Sequence, residues 1–157
     1  MKRTFIGVLV LLFAACTGSL TLSQELEVSP VSGGTSMVLS LDDLRDLGET
    51  ELRTGNEFVD GERLFRGPLV RDVLRHAGAD NATLVRLTAA NDYQVEIAAE
   101  EFMKYEVILA LSMDGVPLSM RDKGPIWVIY PISSHAELQD PVFNNRLIWQ
   151  LVKLEYR

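Results

Sequence analysis

Cysteine is nearly absent: the 157 residues hold one, Cys16. Everything after it folds without an internal disulfide, and no later thiolate can act as nucleophile or metal ligand. Histidine is almost as scarce. His76 and His135 lie far apart in the sequence, without H-x-x-E-H spacing, and do not make a zinc site. No G-x-S-x-G segment accompanies them, so a hydrolytic triad has no basis. Positive charge is also short, with 15 Lys and Arg against 22 Asp and Glu. Such a surface repels phosphate backbones, and there is no basic stripe with interleaved aromatics; nucleic acid is excluded as a partner. Beyond the first 15 residues, no apolar run approaches the ~18 that a membrane span needs.

What the N-terminus does have is the pattern of an export signal. Lys2 and Arg3 precede an apolar run from Thr4 to Ala15 that ends in small residues. This reads as a signal peptide over 1–23, too short for a mature anchor, and implies a periplasmic location. Two readings of its end stay open. Phe13-Ala14-Ala15-Cys16 resembles a bacterial lipoprotein box, which would make Cys16 a lipid tether. Ordinary cleavage after Ser19 or Ser23 is the alternative. Without Lys2 and Arg3, 13 basic residues face 22 acidic ones, a net charge of −9.

The whole chain is 47% hydrophobic and 24% charged, a globular composition long enough for one core. Residues 24–38, with Pro30 and Gly33-Gly34, read as a polar arm, and 39–157 as the domain. Ser40 caps a short helix with Leu41, Leu44 and Leu47 on its apolar side and Gly48 at its end. Residues 50–66 read as a hairpin turning at Asp60-Gly61. Gly67-Pro68 opens the clearest helix, with Leu69, Val70, Val73, Leu74 and Ala77 as its stripe and Gly78 as terminator. Strands follow at 83–89, 94–97 and 107–113, with a helix at 98–105 that explains Glu100-Glu101 as first-turn acids. Asp114-Gly115 marks a hairpin turn. A strand at 126–130, a long loop at 131–145 and a closing strand "LIWQLVKLEY" complete an α+β chain of mostly antiparallel sheets and few short helices.

Four segments in this order resemble the molybdopterin-binding domain of the sulfite oxidase family. "FRGPLVRDVLRHAGA" resembles its F-x-G-x-x-L segment, and "AANDYQVEIAAEEF" its D-G-Y hairpin. "VILALSMDGVPLSMRDKGPIWVIYP" resembles its ILAxxMNGxPL…PLRLVVP block, and "RLIWQLVKLEYR" its closing strand. The resemblance runs from about Leu39 to Tyr156. It implies that fold and a pterin site. In the family a cysteine thiolate binds molybdenum in a segment ahead of the matched part; here that stretch offers none, and Trp127 stands where the block carries arginine. The resemblance therefore implies a pocket for a pterin without molybdenum. The chain is also similar to small exported members of the fold, some of which bind free pterins and act on membrane-bound cyclic di-GMP enzymes.

A pterin is a flat bicycle that needs an aromatic or guanidinium face, an acceptor for its amino and ring N–H groups, and a donor for its carbonyl. Arg121 and Lys123 lie on the turn before the strand 126–130 and suit a polar edge or anionic tail; a solvated turn is the alternative. Trp127 and Tyr130 point to opposite faces of that strand, so at most one lines a pocket. Asn91, Asp92 and Tyr93 occupy the hairpin that the family brings to the pterin, where plain turn chemistry competes. The long loop gathers Ser133, His135, Glu137, Asp140, Asn144 and Arg146 ahead of Trp149. Glu137 or Asp140 would accept from the amidine-like edge, Arg146 would donate to the carbonyl or a tail, Tyr93 would supply a stacking ring, and Trp149 counts among the ligand contacts. His76 reads as a helix-end residue.

These residues point to a non-catalytic, exported pterin-binding module in which a ligand orders the 131–145 loop and alters the surface shown to a membrane-bound partner. A molybdopterin-dependent oxidoreductase and a ligand-free interaction domain remain the alternatives, because fold does not dictate function.

Overall fold

Residues 25–157 are described by the computed structural model of the chain. The expected signal peptide and Cys16 lie outside them. Among the described residues no helix is long and apolar enough to cross a membrane.

The first described residues already correct the sequence reading. Glu25–Pro30 is not an arm but β1, a strand paired on both sides, antiparallel to β2 (Met37–Ser40) and parallel to β11 (Leu151–Tyr156). Its alternation explains why: Leu26 and Val28 are fully buried, while Glu25 faces water. Each such side chain contributes about 1.5–3 kcal/mol of burial. β11 continues antiparallel to β5 (Leu84–Ala89), and β5 to β6 (Gln94–Ala98), giving a five-stranded sheet of order β2-β1-β11-β5-β6.

The helices form where their caps allow. Ser40 and Asp43 make a reciprocal capping box: the Asp43 N–H donates to Ser40 Oγ (3.1 Å) and the Ser40 N–H to Asp43 Oδ2 (2.8 Å). This starts α1 (Leu41–Asp46), which buries Leu44. In α2 (Val70–His76), Val70, Val73 and Leu74 are buried. It ends in paired bonds, the Ala79 N–H to Leu74 O (2.9 Å) and the Gly78 N–H to Arg75 O (3.0 Å). That geometry places Gly78 at φ +71°, where glycine is favoured. α3 (Ala99–Lys104) buries Ala99 and Phe102.

A second sheet contains β3 (Thr50–Thr54), β4 (Arg63–Gly67), β8 (Ser112–Met113) and β9 (Val116–Pro117), all antiparallel. The expected tight hairpin at Asp60-Gly61 is replaced by an eight-residue connection, because Thr54 pairs with Arg63. Asp114 and Gly115 do form a two-residue turn, both at positive φ. The expected strand 107–113 divides into β7 (Ile108–Ala110) and β8, and β7 pairs with β10 (Trp127–Ile129). Backbone bonds from Leu109 N–H to Pro68 O (2.9 Å) and Leu111 N–H to Arg66 O (2.8 Å) join β7 to the β4 edge.

The β7–β10 ribbon separates two cores by its period of two. Leu109, Val128 and Tyr130 enter the core beneath the five-stranded sheet and its helices. Ile108, Ala110, Trp127 and Ile129 enter a smaller one with Leu52 and Phe65. Trp127 and Tyr130 therefore take opposite faces, as expected, and both are buried.

Candidate ligand cleft

Three separate segments meet at one end of this frame. The first is the β5–β6 turn. Asp92 takes φ +65°, and Asn91 Oδ1 accepts from the Tyr93 N–H (3.2 Å), which holds the turn locally. The second is the connection between β3 and β4. Asn56 Oδ1 accepts from the Phe58 N–H (2.8 Å) and presents the Phe58 ring. At the base of this connection, Gly55 N–H donates to Ser133 Oγ and Ser133 N–H to Thr54 Oγ1, tying it to the long loop.

The third segment precedes β11. Trp149 forms an isolated bridge with Trp127, and Gln150 follows in the left-handed region at φ +52°. A non-glycine residue held there costs about 1–3 kcal/mol and needs compensation from its surroundings. Gln150 finds it in three directions. Its N–H donates to Lys123 O (3.2 Å), its O accepts from the Ala90 N–H (2.9 Å), and its Nε2 donates to Met120 O (2.8 Å). The kink leaves Trp149 partly exposed, its ring edge-on to Phe58 at 5.0 Å between centroids.

Between these segments lies an open cleft of about 270 Å³. Its sides are Phe58, Tyr93 and Trp149, its floor Ala89, Leu147 and Ile148, and its polar groups Asn91, Asn144 and Asn145. The Tyr93 hydroxyl donates to Asn145 O (3.2 Å) and so ties the hairpin to the asparagine wall. This volume suits one small ring system.

The expected site residues divide among three places. Asn91, Tyr93 and Trp149 line the cleft. Arg121, Lys123 and Trp127 line a separate hollow of about 240 Å³, which shares Phe58 with the cleft. There Lys123 Nζ sits 5.3 Å from the Trp127 ring centroid. Trp127 itself is core, its Nε1 donating to Leu147 O (3.0 Å) and its ring edge-on to Phe65.

Glu137, Asp140 and Arg146 are elsewhere, and each is engaged. Glu137 accepts from the Tyr105 hydroxyl (3.1 Å), with Lys104 Nζ at 3.5 Å. Its own backbone N–H, that hydroxyl and the ammonium hold its carboxyl below the usual range. Asp140 caps the 3-10 turn Pro141–Arg146 by accepting from the Val142 N–H (3.0 Å). Arg146 pairs with Glu101 of α3 and lies over the Phe143 ring at 4.4 Å. The structure thus places these three charges outside the lining of the cleft, each on a partner within the protein. Phe58, Asn145 and the apolar floor of Ala89, Leu147 and Ile148 are the cleft residues that the sequence reading missed. The only signal for Phe58 was its place among turn formers, between Asn56 and Asp60-Gly61.

A model of the family described as "oxidoreductase molybdopterin binding domain" matches residues 25–136. The chain belongs to that family. No curated protein matches it. The match begins at Glu25, so it takes in β1, which the resemblance from Leu39 onward had left out. It stops before Trp149 and the asparagine wall.

The family's domain binds molybdopterin, and the cleft can be tested against that cofactor. Three aromatic side chains and three amides fit a pterin ring. Among the described residues there is no cysteine, and no cluster of three or more His, Cys, Asp or Glu that could hold a metal ion. The described donor set therefore fits the ring and not a protein-held molybdenum.

Proposed function

We propose that this chain is an exported pterin-binding module that works by occupancy and not by turnover, and reports that occupancy to a membrane-bound partner such as a cyclic di-GMP enzyme. The observation that carries the reading is a cleft of aromatic rings and amides, built partly from the residues that match the molybdopterin-binding family and partly from those after them, in a chain whose described residues offer no thiolate. Phe58, Tyr93 and Trp149 would hold the ring, and Asn91, Asn144 and Asn145 would meet its polar edge.

The route outward runs through α3. The asparagine wall continues into Arg146, which is paired to Glu101 at one end of α3, while Lys104 and Tyr105 at the other end hold Glu137 of the long loop. A ligand that tightens the wall biases this loop–helix unit, provided it has different affinity for the two arrangements. Export, and either signal cleavage or a lipid tether at Cys16, would place the module beside such a partner.

The test is mass spectrometry of the small molecule released on denaturing the purified protein, with metal analysis of the same sample. A pterin without stoichiometric molybdenum is the expected result. Stoichiometric molybdenum would favour the oxidoreductase reading, which the family match supports. No pterin and no titratable binding would leave an interaction domain. Cell fractionation and the mass of the mature N-terminus check location and lipidation.

A further inference from the structure

The cleft is unusual in what its polar groups are. None of the residues lining it is Asp, Glu, Lys, Arg or His. Its hydrogen-bonding side chains are Asn91, Asn144, Asn145, the Tyr93 hydroxyl and the indole N–H of Trp149, all uncharged. Asn91 uses Oδ1 on the Tyr93 N–H, and the hydroxyl is spent on Asn145 O. The side-chain amides of Asn144 and Asn145, and the Nδ2 of Asn91, make no hydrogen bond to another described residue.

Asp92 lies exposed between the lining residues Asn91 and Tyr93 and adds negative charge beside the cleft, while the charges of the long loop are engaged elsewhere. Arg146 follows Asn145 directly but turns to Glu101, and Glu137 turns to Tyr105 and Lys104. Lys123 and Arg121 sit beyond Phe58 in the second hollow. Acidic neighbours temper that hollow too, since Asp60 and Asp122 line it and Arg63 is paired with Asp114 at 3.3 Å.

An amide offers both a donor and an acceptor but no compensating charge. Moving an ion into an aromatic cleft strips water that an amide wall replaces incompletely, and that cost rises steeply for unpaired charge. A neutral lactam, with N–H beside C=O, is the complement of an asparagine side chain.

We infer that the cleft selects an uncharged flat heterocycle with a lactam-type donor–acceptor edge, and discriminates against rings that carry a carboxylate or a deprotonated lactam. This rests on the pterin reading above and narrows it to one charge class of ligand. A bound ring stays in its neutral form.

The experiment titrates the full chain, through its tryptophan fluorescence, with the unsubstituted oxidised pterin and with its ring-carboxylated counterpart, at low and high salt and from mildly acidic to alkaline pH. The neutral ring should bind more tightly by at least about tenfold, the factor that corresponds to one pKa unit of differential interaction. Its affinity should fall as pH rises through the ring's own lactam ionisation, measured in the same buffers without protein. Salt should change it little, since no ion pair forms. Equal or tighter binding of the carboxylated ring, affinity that grows as the lactam ionises, or a steep salt dependence would each overturn the inference while leaving pterin binding intact. No binding of either ring by the folded protein overturns the pterin reading itself.

Discussion

Arg146 Nη1 donates to Glu101 Oε2, fastening the end of the 3-10 turn Pro141–Arg146 to α3. The Tyr130 hydroxyl also reaches that carboxylate oxygen at 3.4 Å, and burial holds the phenol strongly towards its protonated form. The pair acts on the cleft from outside it, because Asn144 and Asn145 immediately precede Arg146. Both side chains keep 21% of their exposure, so the pair is worth less than a fully buried one. Arg146→Ala should cost about 1–2 kcal/mol in urea unfolding. It should also speed hydrogen exchange selectively at residues 144–147. An unchanged unfolding midpoint with unchanged exchange would show that the pair fixes nothing.

Gly67 makes a different kind of demand. A Cβ at this position would lie 1.9 Å from Leu109 O, a backbone atom of β7 that no rotamer change can move. The close approach is what lets β4 run on through Pro68 into the β7 edge. Gly67→Ala should therefore exceed the ordinary cost of overpacking and reach about 4 kcal/mol or more. Gly115→Ala is the control: its Cβ meets nothing within 4 Å and bears only the strain of φ +81°, about 1 kcal/mol. Thermal melts followed by circular dichroism compare them, and similar melting points would refute the close-approach argument.

Features that depend on neighbours in the chain were legible in the sequence. The Ser40 cap, the Gly78 terminator and the Asp114-Gly115 turn each follow from two or three adjacent residues. So did the opposite faces of Trp127 and Tyr130, since a strand's period fixes them. β1 was misread although Glu25-Leu26-Glu27-Val28 alternates, because Pro30 and Gly33-Gly34 beside it signal irregular chain and its partner in β11 lies far along the chain, Glu27 pairing with Lys153. Charged side chains were the least legible. Glu137, Asp140 and Arg146 carry the right chemistry for a ligand, but which partner a long charged side chain takes depends on folding of α3 and the 3-10 turns around it. Phe58 escaped because an aromatic at a loop tip has no period to declare its purpose.

Asp114 gives the protein an acid-sensitive joint. Its Oδ1 accepts from the Leu64 N–H (3.0 Å) and its Oδ2 from Arg63 (3.3 Å). The backbone bond first, then Arg63, lower its pKa in the folded state. A depressed folded pKa means that stabilisation is present above the unfolded carboxylate value and is lost as pH falls through the folded one. Glu137 and Asp43 are lowered as well and act in the same direction. Stability should thus decline from neutral pH down through the carboxylate range. Asp114→Asn keeps the turn, since asparagine accepts positive φ, but removes the titration. Its melting temperature should fall less between neutral and acidic pH than that of the wild type; identical slopes would refute the assignment.

Trp149 and Phe58 separate binding from folding. Trp149 keeps 36% of its exposure and meets Phe58 edge-on, an arrangement worth about 0.5–1.5 kcal/mol beyond burial. If the pterin ring rests against it, Trp149→Ala should weaken binding by about 1–3 kcal/mol, the range for losing a central aromatic contact. Trp149→Phe should recover most of that, since the π-face remains. Phe58→Leu should weaken binding less, because it removes the ring that braces Trp149 but leaves an apolar side. Lys123→Ala is the discriminating partner. Its ammonium lies over Trp127 in the neighbouring hollow, so affinity for an uncharged ring should stay within about twofold of the wild type, the scatter expected when no contact is lost. Fluorescence titrations of the four variants decide the matter. A larger loss at Lys123 than at Trp149 would move the ligand across Phe58 into the charged hollow.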